Sequence, residues 1–300
     1  MMKHTPVLLD RVIEALGNLN GCMVIDGTFG AGGYTRAFLA AGAKVIAFDR
    51  DPSVIQAAAV VGAEYPDTFK FISAPFSKIS EFICVTPDAL VFDFGVSSMQ
   101  IDEPARGFSF RFDAPLDMRM DAPVGDNSCS PTAAELIENS SVAQLAEILR
   151  NFGDVKKSGI IARAIKQAQP KTTFELRALI HNPKDIAPVF QALRIAVNDE
   201  LGEIQRVLDT VPTLLQPGGK CICVTFHSLE DRLVKNKFRE WTTALGDPRM
   251  PTVEQPQFKL LKTHTPSDSE LGENSRARSA HLRGVVKYAV FKPCHGHVIA

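Results

Sequence analysis

The sequence is poor in large polar aromatics: its 300 residues include one tryptophan and three tyrosines, against 19 phenylalanines. It also lacks a charge imbalance, since 33 Lys and Arg stand against 34 Asp and Glu, a formal net charge of −1. No global basic field therefore marks a nucleic-acid binder, although a local basic face would suffice for one. No apolar run approaches the ~18 residues of a membrane helix, so no membrane association is expected. The opening residues, Met1-Met2-Lys3-His4-Thr5-Pro6, lack the apolar stretch and small-residue cleavage site of a secretory signal, and a cytoplasmic location is expected. Cys-x-x-Cys is missing too. The six cysteines (Cys22, Cys84, Cys129, Cys221, Cys223, Cys294) are scattered, several in apolar runs, which predicts reduced thiols and no metal. What remains is ordinary: 45% hydrophobic and 22% charged residues exclude wholesale disorder. The length suits one large domain or two modest ones.

Along the chain, helix-like and strand-like runs alternate. Val7, Leu8, Val12, Ile13 and Leu16 have helical spacing within 6–19. Short continuous apolar runs at 22–25, 44–48, 69–72 and 89–92 predict buried strands, and Asp26, Asp49 and Asp93 end three of them. Strand–helix alternation with fully apolar strands implies a parallel sheet covered on both faces. Between 103 and 188 the strand signals disappear. Amphipathic segments at 132–138, 142–152 and 159–169 predict a helical insertion there. The pattern resumes with one long helix over 190–211, a Gln216-Pro217-Gly218-Gly219 turn, a strand over 220–226 and a helix over 229–245. A polar loop spans 247–256, and 258–264 and 280–291 read as closing strands. The division predicted is 1–102 with 189–300 as the sheet domain, and 103–188 as an inserted helical domain.

Asp26-Gly27-Thr28-Phe29-Gly30-Ala31-Gly32-Gly33-Tyr34 falls between a strand and a helix. Glycines there allow a sharp bend and close approach of a ligand to the main chain. Asp49, at the end of the next strand, stands where an acidic residue reaches ribose hydroxyls; Asp51, before Pro52, suits a helix N-cap. The pattern fits NAD(P) or S-adenosylmethionine. Asp26 beside the glycines would repel a pyrophosphate and suit a cation, and Thr35 stands at the third glycine of the dinucleotide fingerprint. Both favour the sulfonium cofactor.

More specific strings follow: Phe92-Asp93-Phe94-Gly95-Val96-Ser97-Ser98-Met99-Gln100, Arg106-Gly107-Phe108-Ser109-Phe110, Pro115-Leu116-Asp117-Met118-Arg119-Met120, Arg194-Ile195-Ala196-Val197-Asn198-Asp199-Glu200, His227-Ser228-Leu229-Glu230-Asp231-Arg232 and Asn274-Ser275-Arg276-Ala277-Arg278. With His4-Thr5-Pro6 they resemble, over nearly the whole chain, the ribosomal RNA small subunit methyltransferase H family. The resemblance implies an α/β, class I (Rossmann-like) S-adenosylmethionine-dependent methyltransferase sheet with an inserted helical domain. It implies N4-methylation of a decoding-centre cytidine in 16S rRNA of the small ribosomal subunit. It places Gly32, Gly33, Tyr34, Asp49, Phe76, Asp93 and Gln100 at the cofactor, with Phe76 beside the adenine.

Asp93 and His227 are the candidates to receive the amine proton. Arg106, Arg119 and Arg194 are candidates for RNA phosphates, or for ion pairs with Asp102, Asp117 or Asp199. Arg276 and Arg278 open a segment, 276–300, with no acidic residue, a local basic surface. A homodimer stays open. The sequence departs from the family at Tyr34, where His is usual, and at Phe152-Gly153-Asp154-Val155-Lys156 and Ile186-Ala187-Pro188-Val189, where family charges are missing. These departures keep a non-catalytic ribosome-assembly factor among the rival readings, beside an NAD-dependent enzyme.

Overall fold

The computed structural model describes residues 6–122, 130–244 and 256–288. His4, Thr5, Cys129, Cys294, most of the 247–256 loop and the end of the last expected strand lie outside them. Seven strands form one sheet in the order β3-β2-β1-β4-β5-β7-β6: β1 (Met23–Asp26), β2 (Lys44–Asp49), β3 (Phe69–Ser73), β4 (Ala89–Asp93), β5 (Lys220–Thr225), β6 (Phe258–Leu260) and β7 (His281–Lys287). β1 to β5 pair in parallel, and β7 runs antiparallel between β5 and β6. The expected seven-stranded α/β fold with a class I methyltransferase strand order is therefore present.

Alternation along the strands splits the sheet core in two. Val24, Val45, Ala47 and Val91 face one apolar cluster, while Ile25, Phe48, Leu90 and Phe92 face the other, as a period of two requires. Helices α1 (Leu9–Leu16), α2 (Gly33–Ala40) and α3 (Ile55–Glu64) supply the first layer. The chain then adds the short helices α4 (Ile79–Phe82) and α5 (Ser98–Asp102). A third cluster belongs to the insertion, built on α6 (Ala133–Asn139), α7 (Val142–Gly153), α8 (Ser158–Ala168), α9 (Thr173–Ala178) and α10 (Pro183–Asn198). α11 (Glu200–Leu214) and α12 (Ser228–Thr242) return to the second cluster, and α13 (Asp268–Glu273) precedes β7.

Two expectations need correction. The long helix expected over 190–211 is two helices, because Asp199 adopts a left-handed conformation (φ 47°) between α10 and α11. The insertion also extends past 188: Val189, Phe190, Ala192 and Leu193 of α10 are buried in its cluster, whereas Ile204 of α11 is buried against the sheet. The return to the sheet therefore falls at Asp199.

Among the insertion's departures from the family pattern, Phe152 and Val155 pack into the third cluster, while Asp154 and Lys156 are exposed. A side-chain carbon at Gly153 would lie 2.6 Å from the Pro188 carbonyl oxygen, so a glycine is what lets α7 approach α10 here. Gln191 fastens the contact by donating to the Phe152 carbonyl at 3.0 Å.

Candidate active site

The strand order reverses between β1 and β4, the place where open parallel sheets bind ligands outside their carboxyl ends. A cleft of about 870 Å³ lies there, within the usual range of small-molecule sites. The glycine loop forms one wall. Gly32 is left-handed (φ 78°) and caps α2. A side-chain carbon at Gly27 would lie 2.4 Å from the Phe92 ring, and one at Gly33 2.3 Å from Pro6. These contacts keep the loop backbone bare toward the cleft.

The three strand-ending aspartates have different tasks. Asp26 is fully buried and turned away from the cleft: it accepts from the Thr35 hydroxyl at 2.7 Å and the Thr28 N–H at 3.1 Å. Burial, set against those hydrogen bonds, pushes its carboxyl up to about 6. It braces the loop and does not face a cation, which corrects the reason given for it above. Asp49 lines the cleft and accepts from the Gly30 N–H at 2.8 Å and the Asp51 N–H at 2.9 Å. A carboxylate has about four lone-pair sites, so about two stay open toward the cleft. Burial raises its pKa, while the two N–H bonds oppose the rise. Asp93 also lines the cleft, and its buried Oδ1 has no hydrogen-bond partner. Burial, then the nearby Asp26 and Glu230 charges, push its carboxyl well above the usual range.

Phe76 is half-buried at the cleft, 5.9 Å from the Phe92 ring centre and 5.5 Å from that of Phe94. It offers an aromatic surface where the resemblance places the adenine. Tyr34 lines the cleft, but it is only 4% exposed and its hydroxyl donates to the Val7 carbonyl. That hydroxyl is committed to the fold.

Gln100 is tied up as well. Its Nε2 donates to Asp51 at 2.7 Å, and its Oε1 accepts from the Ser97 N–H at 2.9 Å. Asp51 caps the 3₁₀ turn Pro52–Val54 as expected, accepting from the Ser53 N–H. It also takes the Arg106 guanidinium at 3.0 Å, with Asp51 1% and Arg106 6% exposed. Gln100 lines the cleft itself and also fixes Asp51.

This changes the expectation for the arginines. Arg106 donates its other amino group to the carbonyls of Arg119 and Met120, at 2.9 and 3.2 Å. Arg119 is buried against Asp117, with two contacts of 2.8 Å. Arg194 makes a forked pair with Glu200 at 2.7 and 3.0 Å. All three are ion-pair partners, and only Arg119 pairs with one of the acids expected. Arg106 and Arg119, buried and paired, are not presented to a phosphate, whereas Arg194 is half-buried and lines the cleft. Arg276 and Arg278 are exposed; Arg276 lines the cleft and pairs with Asp102.

His227 begins α12 and lies at the cleft. Its Nε2 is 3.0 Å from Oε1 of Glu230, which is fully buried. The two groups are in close contact without the alignment of a hydrogen bond, and neither ring nitrogen makes a hydrogen bond elsewhere. Burial raises the Glu230 carboxyl, but His227, the Phe226 N–H and Arg194 more than offset it and hold the carboxyl below its usual value. Glu230 and Glu200 were missed in the sequence. The i, i+3 spacing of His227 and Glu230 at a helix start was the available signal. Glu200, His227 and Glu230 bring ligand-type atoms within 4.8 Å of one another. Both Glu200 oxygens are already held by Arg194, whose fixed charge neutralises the group as a cation would.

A sequence model of the MraW methylase family matches residues 1–288. Ribosomal RNA small subunit methyltransferase H of Brucella anthropi is 43% identical over 310 residues, covering 95% of this chain and 88% of that protein. The protein of the same name from Mesorhizobium japonicum is 43% identical over 303 residues, with the same coverage. Among solved structures, an rRNA methylase from Streptococcus thermophilus aligns with 96% of this chain and 99% of its own, at 11% identity and a TM-score of 0.45.

Proposed function

The chain belongs to the MraW methylase family, and from that premise we propose that it N4-methylates a cytidine of 16S rRNA in the small ribosomal subunit, using S-adenosylmethionine. The observation that carries the reading is Asp93: a buried carboxylate oxygen without a partner, in a cleft at the sheet's switch point. A non-catalytic assembly factor would not need to keep that unsatisfied group, which costs free energy unless something pairs with it.

The cofactor, when bound, supplies an electrophilic methyl sulfonium. Asp49, fixed by two main-chain donors, would hold the ribose, and Phe76 would lie against the adenine. The bare glycine loop would take the rest of the ligand at close range. The exocyclic nitrogen of cytosine is a weak nucleophile, because its lone pair is delocalised into the ring. The protein must therefore align it and receive its proton. Asp93 Oδ1 would accept a hydrogen bond from that amine. His227, held beside Glu230, is the second proton acceptor at the same cleft. Cytosine N4 is engaged inside a duplex, so the target base must enter unpaired or flipped. Among the described residues no helix is long and apolar enough to cross a membrane. Action on the ribosome would place the protein in the cytoplasm.

Calorimetric titration with S-adenosylmethionine tests the cofactor assignment. Asp49→Ala should weaken binding by ~1.5–3 kcal/mol, the worth of hydrogen bonds to a charged group. Asp10→Ala, at an exposed site on α1, should not. Asp51→Ala is not a silent control, because it would strand Arg106. Equal affinity of wild type and Asp49→Ala would contradict the assignment.

A further inference from the structure

A second groove, of about 550 Å³, opens beside the cleft and shares Phe226, His227 and Ser279 with it. One wall is α12. Arg232, Lys235 and Arg239 recur there at i, i+3 and i+7, so they form one stripe along the helix. The stripe is about 10 Å long, at 1.5 Å per residue. All three side chains are exposed, and none makes an ion pair or hydrogen bond among the described residues. Other charges nearby are neutralised. Lys237, on another face of α12, pairs with Asp209 and Glu240. Asp231, the acid in the groove, is held by Arg283 at 2.7 and 2.9 Å. Three uncompensated cations therefore line a groove that leads to His227.

We infer that this groove holds the sugar-phosphate backbone of the RNA strand whose base enters the cleft. The inference rests on the reading that the substrate is RNA. A base seated beside His227 carries its own phosphates with it, so the surface adjoining the cleft must face backbone. Helical cations without acidic partners are the chemistry that backbone requires. Arg106 and Arg119 do not take this role, because both are buried in ion pairs. Arg278, exposed next to Ser279 of the groove, extends the same surface toward β7.

The test is binding to purified small ribosomal subunits over a range of KCl concentrations. It compares wild type, the triple variant Arg232→Ala/Lys235→Ala/Arg239→Ala, and Lys70→Ala, an exposed cation on the far strand β3. Each phosphate contact with a single strand contributes about 0.7 to the log–log salt slope, so the triple variant should lose about 2 units and bind at least about tenfold more weakly at low salt. Lys70→Ala should match wild type, and S-adenosylmethionine titrations of all three should coincide. An unchanged slope and affinity in the triple variant, with wild type binding normally, would overturn the groove while leaving the proposed reaction standing. Weaker binding with an unchanged slope would mean a protein contact and would also overturn it. Failure of wild type to bind or methylate subunits at all would instead refute the proposed function.

Discussion

Asp51 joins the Ser53 N–H, Gln100 and Arg106 at one buried point behind the cleft wall. Breaking a buried ion pair strands its partner, at a cost of about 3–5 kcal/mol. Arg106→Ala should therefore lower the unfolding free energy by that order in urea titrations, and should weaken S-adenosylmethionine binding by loosening Gln100 and Asp51. Unchanged cofactor affinity in a folded variant would contradict this. The pairing was not legible in the sequence, because its partners are 55 positions apart and nearer acids, such as Asp102, were available. Asp26 yields a pH prediction. Its folded pKa of about 6 exceeds the usual 3.8, so the folded state binds the proton more tightly. Its contribution is then full below about pH 4 and is lost as pH rises through about 6, a change of about 3 kcal/mol at 1.4 kcal/mol per unit. The stability difference between wild type and Asp26→Asn should move against wild type across that window. Parallel curves would sink the assignment.

At the scale of elements, much of the fold was readable for local reasons. Apolar runs ending in Asp marked β1, β2 and β4. Capping boxes at Thr132/Glu135, Ser141/Gln144 and Thr172/Glu175 start three insertion helices, the first two of which the amphipathic spacing had marked. The break between α10 and α11 was hidden, because apolar periodicity continues through it. Asn198 is what fixes it in space: it accepts from the Met120 N–H at 2.8 Å and donates to the carbonyls of Met118 and Arg194 at 2.7 and 2.9 Å. It thus ties the first segment of the insertion to its last helix. Asn198→Ala should cost about 2–4 kcal/mol, since buried main-chain partners are left unsatisfied. It should also speed amide exchange at Met118 and Met120 ahead of the sheet strands. Exchange that rises uniformly across the molecule would show that the tie is not local.

For the whole molecule, the cleft lies at the sheet's switch point, and the α12 groove opens directly beside it. The glycine loop, Asp49, Asp93 and Phe76, each marked by a short string in the sequence, all line that cleft. The surface proposed to face RNA was less legible. Arginine is the same letter whether it is buried in a pair or exposed on a helix, and only the packing separates Arg106 from Arg232. The central claim is that Asp93 stands where a 16S rRNA cytidine amine receives its methyl group. Mass spectrometry of 16S rRNA fragments from a deletion strain, complemented with wild type or with Asp93→Ala, tests it most directly. The account predicts one added methyl on a decoding-region cytidine with wild type, and a loss of at least about a hundredfold in methylation rate with Asp93→Ala, the usual worth of a positioned proton acceptor. Equal methylation by both proteins, or a methyl group on carbon or ribose instead of the exocyclic nitrogen, would contradict it.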